Sequence, residues 1–201
     1  MNKNYKVIDT FLFNDELEML KMRLDYLNDS VEYFVIAEST RTTTGNLKEL
    51  TYSSNSYLFD EYKDKIHYVV YEPTEDDLNK SIEDKWHLEI QQIECLRKKA
   101  LEISDDDCFI LLSGVDEFPK KELFDNAWNI VKDKTLEAVS FKMKTFYYSP
   151  LTELLIDCFA SVGINNSTLK EVNMFNDLRQ YAFNCPNIEN GGYHLSFFIS
   201  L

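Results

Sequence analysis

Two adjacent carboxylates, Asp116 and Glu117, follow the apolar run Cys108-Phe109-Ile110-Leu111-Leu112 after a small turn, Ser113-Gly114-Val115, and precede Phe118-Pro119. An apolar run of that length, bounded by polar clusters, has the pattern of a strand buried on both faces. The carboxylates then stand where a central strand leaves its sheet, the edge at which open α/β sheets bind ligands. Pro119 confines Phe118 to extended geometry and so sets the direction of exit. Asp116 has two readings there. It can belong to a solvated turn that caps a helix beginning near Pro119. It can also be a ligand for a divalent cation that holds a phosphorylated substrate, since hard cations use one or two carboxylates together with substrate phosphates.

The rest of the chain must position those groups. At 201 residues it is long enough for one domain with a substantial core, and 44% hydrophobic with 14% aromatic residues excludes general disorder. A formal net charge of −14 argues against a nucleic-acid partner. The same charge repels any anionic substrate, so a pyrophosphate needs a local cation, which a metal ion supplies. Cys95, Cys108, Cys158 and Cys185 show no CxxC spacing. They point away from zinc and towards a reducing, cytoplasmic setting. The polar N-terminus meets a strand almost at once, and no apolar stretch reaches transmembrane length, so neither a signal peptide nor a membrane span is expected.

In chain order, Lys6 to Phe13 reads as a strand and Glu16 to Leu27 as an amphipathic helix with Leu17, Leu20, Leu24 and Leu27 at helical spacing. Asp15 and Glu18 have capping-box spacing. Arg23 either is solvated or points back to the sheet. Val31 to Ala37 reads as a strand that delivers Glu38, and Ser39 to Gly45 as a Ser/Thr-rich loop that either offers hydroxyls to a ligand or is an ordinary connection. Ile66 to Tyr71 is a third strand, Glu72 to Asp84 a long acidic loop, and Ile82 to Ile103 a helix with Trp86, Ile90, Ile93, Ala100 and Ile103 on one face. Leu123 to Val131 marks another helix, and the alternation around Val139, Phe141 and Met143 a strand with one wet face. Phe146-Tyr147-Tyr148 extends it, as core packing or as a platform for stacking a sugar. Cys158 to Ile164 reads as a strand. Thr168 and Glu171, again at capping-box spacing, precede a short helix with Leu169, Val172, Phe175 and Leu178. Gly191 and Gly192 then permit a tight turn before an aromatic strand ending near Phe198. Alternating strands and helices, followed by further strands, predict an α/β fold with a mostly parallel central sheet, flanking helices and some antiparallel strands.

Several of these segments together resemble glycosyltransferase family 17, whose members include the β-1,4-mannosyl-glycoprotein β-1,4-N-acetylglucosaminyltransferases. The segments are Asp9 to Leu17 with Arg23-Leu24, Val35 to Thr40 with Thr44-Gly45 and Lys48, and Trp86 with Glu89 and Gln91. Ser113 to Pro119 resembles the family's Ser-Asp-Val-Asp-Glu-Ile-Pro motif, and Asn190 to Phe197 its Asn-Gly-Gly-Trp-His-Phe-Ser-Tyr segment. The resemblance spans nearly the whole chain, in order.

It implies a single glycosyltransferase-A-like (Rossmann-like) domain over residues 1–201. It also implies inverting transfer of a sugar, with N-acetylglucosamine a candidate, from a nucleotide-sugar donor, with UDP the leading nucleotide, to a carbohydrate or other hydroxyl acceptor. In that fold an Asp-x-Asp motif holds a divalent metal on the donor diphosphate. Here Gly114 stands at the first Asp and Asp116 at the second, and His194 falls at a position expected to be a second ligand or diphosphate contact. Mn2+ or Mg2+ would then be held by Asp116 and His194. Phe13, Asn14 and Glu38 are expected to shape the nucleoside pocket. Ser113 and Gly114 are expected to let the donor approach the backbone. Glu153 and Asp157 are the candidate general bases. The family's Gln-Arg pair in the long helix reads Gln91-Gln92 here, and Tyr193 replaces a tryptophan. The chain ends at Leu201, soon after the last matching segment, so C-terminal shortening is also an expectation. Two other readings stand beside catalysis: a degenerate relative that binds sugar nucleotide without turnover, and, ranked last for want of a basic Gly-rich loop, a metal-dependent nucleotidyltransferase.

Overall fold

The computed structural model describes residues 4–197, without the side chains of Asp157 and Ala160. Phe198 and Leu201 lie outside the described residues. The first half alternates strand and helix as the sequence predicts. Strand β1 is Lys6–Phe13, helix α1 Leu17–Leu27 and strand β2 Tyr33–Ser39. A short helix α2, Thr51–Asn55, and a 3-10 turn, Ser56–Tyr62, lead to β3, Ile66–Tyr71. Helices α3, Glu75–Glu83, and α4, His87–Ile103, precede β4, Cys108–Gly114, and β5, Glu117–Pro119. Then come α5, Phe124–Val131, β6, Ala138–Tyr147, β7, Glu153–Asn165, α6, Asn166–Glu171, α7, Phe175–Tyr181, and β8, Asn187–Ser196.

All eight strands share one sheet in the order β3-β2-β1-β4-β7-β6-β8-β5. β1 to β4 are mutually parallel, β7 joins β4 and β6 antiparallel, β6 pairs β8 parallel, and β5 lies antiparallel on β8. Two apolar layers flank the sheet. On one face Val7, Phe11, Phe109 and Leu111 meet Leu20, Leu24 and Leu27 of α1 and Phe124, Ala127 and Val131 of α5. On the other, Ile8, Val35, Ile110 and Leu112 meet Ile93, Leu96 and Ala100 of α4, Leu169 of α6 and Phe175 of α7. β4 is therefore covered on both faces, as its unbroken apolar run requires.

Local details depart from the sequence reading. α1 has no Asp15 capping box. Instead Glu16 folds back, and its carboxylate accepts the N–H groups of Asn14 and Asp15. The acidic stretch after Glu72 is a helix, α3, closed by a true capping box between Thr74 and Asp77, with Glu75, Asp76 and Asp77 favourably placed at its positive end. It buries no residue, so it carries no apolar stripe for periodicity to detect. The long helix starts later than expected, at His87, and Trp86 is an exposed N-cap residue rather than part of the apolar face. The Thr168–Glu171 box is likewise absent. Asn165 caps α6 by accepting the Thr168 N–H at 2.8 Å, and the helix is separate from α7. Gly191 and Gly192 lie inside β8 and make no turn. A Cβ on Gly192 would stand 2.3 Å from the Phe118 carbonyl oxygen, so glycine is what lets β5 and β8 approach.

Arg23 resolves towards the sheet. Asp9, in register with Val7 and Phe11 on the α1 face of β1, is fully buried, and so is Arg23. The guanidinium meets the carboxylate with two parallel bonds, Nε to Oδ2 at 2.8 Å and Nη2 to Oδ1 at 2.7 Å. It also donates to the Gly114 carbonyl at 3.1 Å and to the Glu117 carbonyl, and it lies 4.7 Å above the Phe11 ring. Removing one partner strands a buried charge. We expect Asp9→Asn or Arg23→Met to lower the unfolding free energy by about 3–5 kcal/mol. The double variant Asp9→Leu/Arg23→Met should recover a large part of that loss, as read from urea denaturation midpoints.

Candidate functional site

The pairing of β5 with β8 sets Glu117 opposite His194, and the Leu195 N–H donates to the Asp116 carbonyl. Two distant segments of the chain are thereby joined at the C-terminal edge of β4 by a short antiparallel ladder. His194 Nε2 lies 3.3 Å from Asp116 Oδ2, and both side chains are partly exposed. Asp116, Glu117 and His194 each place a potential ligand atom within 4.8 Å of the others.

The two adjacent carboxylates have different work. Glu117 is buried, and its oxygens are both taken: Oε2 accepts the Gly114 N–H at 2.7 Å and Oε1 accepts Arg179 Nη2 at 2.7 Å. Asp116 meets only His194 and keeps acceptor capacity towards solvent. Burial alone lowers the His194 pKa. Hydrogen bonds to Asp116 and Cys158, with the charges of Asp116 and Glu117, more than reverse this and bring it to about 10. The protonated imidazole thus occupies the position of a cation between carboxylates. A 3.3 Å gap between an imidazole nitrogen and a carboxylate oxygen is close to the edge of about 3 Å expected between neighbouring ligands of an octahedral hard cation. The donor set, one nitrogen and one carboxylate with open sides, fits Mn2+ or Mg2+ completed by phosphate oxygens and water.

Other candidate residues fall into place around this pair. Ser113 is buried and shares a hydrogen bond of 2.9 Å with Ser161, facing inward rather than towards a ligand. Gly114 is crowded: a Cβ there would meet Asp116 Oδ1 at 2.8 Å and the Glu117 carboxylate at 3.2 Å. A side chain at the motif's first position would require the flexible Asp116 carboxylate to shift slightly, with no backbone strain at Gly114. Phe13 packs edge-on against Tyr52 in the core. The exposed Asn14 offers its carbonyl to Lys48. Glu38 is fully buried and consumed by four donors: Lys48 Nζ, the N–H groups of Thr51 and Tyr52, and the Tyr68 hydroxyl. It holds the segment around Lys48 and α2 in place and has no free oxygen face for a nucleoside. The Ser/Thr loop closes on itself through Thr42, Thr44 and Asn46.

Glu153 is not brought to the pair. It is bridged to Lys144 at 3.1 Å and lines a separate cleft with Lys142 and Glu189. Asp157 is carried by β7, and its side chain lies outside the described residues. Tyr147 and Tyr148 pack against Phe197, and Phe146 against Tyr193, so this aromatic end of β6 packs on β8.

Arg179 escapes the sequence reading, and Glu89 enters it as a matching position of the long helix with no role assigned. Arg179 of α7 holds its charge chiefly through Glu117, against an opposing desolvation, with Glu89 and Asp116 adding to it. Glu89, in the first turn of α4, has its pKa raised by burial foremost, with Arg179 opposing and Glu117 adding. No spacing links position 179 to 116, so only the tertiary fold reveals the arginine.

The family model for glycosyltransferase family 17 matches residues 1–199. Curated proteins gave no significant match. Among solved structures, the mannosyltransferase PcManGT from Pyrobaculum calidifontis, in complex with GDP-Man and Mn2+, aligns with a TM-score of 0.58 at 12% identity over 96% of this chain and 57% of that one. GalNAc-T7 with UDP, GalNAc and Mn2+ aligns with a TM-score of 0.62 at 6% identity over 98% of this chain and 43% of that one. The chain thus spans about half the length of these two proteins, which share its fold. No helix among the described residues is long and apolar enough to cross a membrane. With its motif segments in order and the family model matching residues 1–199, the chain belongs to glycosyltransferase family 17.

Proposed function

We propose that this chain transfers a sugar from a nucleotide sugar, with UDP the leading nucleotide, to a carbohydrate or other hydroxyl acceptor, with inversion at the anomeric carbon. The observation that carries the reading is the Asp116–His194 pair at the exit of β4, 3.3 Å apart and open on one side. Asp116 and His194 would hold Mn2+ or Mg2+; both solved relatives were captured with Mn2+ beside a nucleotide or nucleotide sugar. When bound, the ion supplies the positive charge that a leaving diphosphate needs. Arg179 is the neighbouring fixed cation, bridged to Glu117.

An inverting displacement also needs a base at the acceptor hydroxyl. Glu117 is fully engaged and Glu153 is bridged to Lys144. We assign the role to Glu89 or Asp157. Glu89 carries a carboxyl whose pKa is raised by burial foremost, which strengthens it as a base. Binding without turnover is the second reading. Gly114 favours it, because the motif's first carboxylate is absent.

Three outcomes are expected. Asp116→Asn should abolish Mn2+-dependent UDP binding in calorimetry while leaving the thermal transition nearly unchanged; Mn2+-dependent binding retained at full strength would overturn the metal assignment. Because the cation must displace a proton from His194, whose pKa stands at about 10, apparent Mn2+ affinity should rise with pH from 6 to 9, by up to about tenfold per unit. His194→Gln should flatten that slope. With UDP-sugars and Mn2+, nucleotide release should be detectable, and either Glu89→Gln or Asp157→Asn should lower kcat by about 10²-fold or more with UDP affinity intact. Binding with no release from any UDP-sugar would favour the second reading.

A further inference from the structure

The His194 ring is held at both nitrogens. Nε2 faces Asp116 at 3.3 Å, and Nδ1 faces the half-buried Cys158 thiol, with Sγ at 3.4 Å. Among the described residues no other group is hydrogen-bonded to Nδ1. Cys158 reaches the ring from a strand that does not pair with β8, since β6 lies between the two. Met143 of β6 pairs with Cys158 on one side, and Thr145, two residues on, pairs with His194 on the other. Residues two apart on a strand share a face, so their partners Cys158 and His194 do too. The β7 strand is irregular at this point. Met143 pairs with Cys158 but Thr145 with Leu154, so β7 spends more residues than β6 over that step. Such bulges raise the local twist and re-aim side chains, and they are over-represented beside active sites.

We infer that Cys158 is a positioning residue for the metal site: it accepts the Nδ1–H of His194 and so fixes which ring nitrogen is turned towards Asp116. The inference rests on the metal-assisted reading above and adds the group that sets its histidine. A neutral imidazole has one nitrogen lone pair to offer a cation, and the hydrogen bond made by the other nitrogen decides which one it is. Were the ring turned over, carbon atoms would stand where both nitrogens now are, and the contacts to Asp116 and Cys158 would be lost together. A carboxylate or a main-chain carbonyl is the commoner partner for a ligating histidine. A carboxylate here would add negative charge to a cluster that already gathers Asp116, Glu117 and Glu89. Sulfur is a weaker acceptor, and it supplies the direction.

The test is a double-mutant cycle on the full chain, with Mn2+-dependent UDP binding read by calorimetry. Cys158→Ala should weaken the apparent Mn2+ affinity by about tenfold, the lower end of what loss of such a partner does, and leave the urea midpoint of the metal-free chain nearly unchanged. In a His194→Gln background the same substitution should change Mn2+ affinity by less than about twofold, because the ring it orients is gone. With Mn2+ and UDP bound, pulsed electron paramagnetic resonance should show the coupling of a directly bound imidazole nitrogen in the parent, and a weakened coupling in Cys158→Ala. A loss of the same size in both backgrounds would mean a merely structural role and overturn the assignment. Parent-like Mn2+ affinity and nitrogen coupling in Cys158→Ala would overturn it as well. UDP binding by the parent that ignores Mn2+, or bound Mn2+ with no nitrogen coupling, would instead overturn the metal reading, and the positioning role with it.

Discussion

The buried pair of Arg23 and Asp9 is the constraint from which the site is built. A guanidinium with no exposure must find its partners inside the protein, and here all three nitrogens donate, to one carboxylate and two main-chain carbonyls. Those carbonyls belong to Gly114 and Glu117, the residues on either side of the turn that presents Asp116. An interaction between β1 and α1 thus dictates the path of a turn more than ninety residues further along the chain. Replacing such a pair by apolar residues is often tolerated for stability. What an apolar pair cannot supply is the set of directed donors that holds this turn against the sheet.

Electrostatics explains why the turn needs such support. The chain carries a net charge of −14, and its candidate site gathers Asp116, Glu117 and Glu89 within reach of one arginine and one histidine. Without a cation, histidine is driven to its protonated form, and Arg179 is drawn on to Glu117. Both responses bring positive charge to the place where a diphosphate would need it. If His194 does ligate a cation, that cation has to displace its proton, and binding would then be coupled to pH.

Much of this architecture was legible because it rests on burial. The two-faced apolar run of β4 and the leucine spacing of α1 are imposed by the sheet and its covering helices, so the pattern survives in the sequence. Asp116 and His194 were legible from motif segments, which mark backbone features such as the close approach at Gly192. The parts that were missed depend on tertiary pairing. Glu38 stands at the end of a parallel strand, where a ligand contact is the natural expectation, yet the fold surrounds it with four donors. α3 is held by its cap and its charges rather than by an apolar face. Arg179 sits on a short helix whose sequence says nothing about the carboxylate it meets. Glu153 and Lys144 face each other across a hairpin, a contact visible only once the register is known.

The adjacent carboxylates show how one dipeptide divides structural and chemical labour. Successive residues leaving a turn into a strand point to opposite sides. Glu117 points inward, where its two oxygens close the turn on to the Gly114 N–H and tether α7 through Arg179. Asp116 points outward, where nothing but a histidine competes for it. The crowding above Gly114 follows from the same arrangement, since the space a first-position side chain would need is filled by the carboxylates of residues 116 and 117. A carboxylate at position 114 would stand directly beside those of residues 116 and 117, which would shift to admit it. In this chain the motif is one partly exposed aspartate, paired with His194 and followed by a buried glutamate, with glycine at its first position.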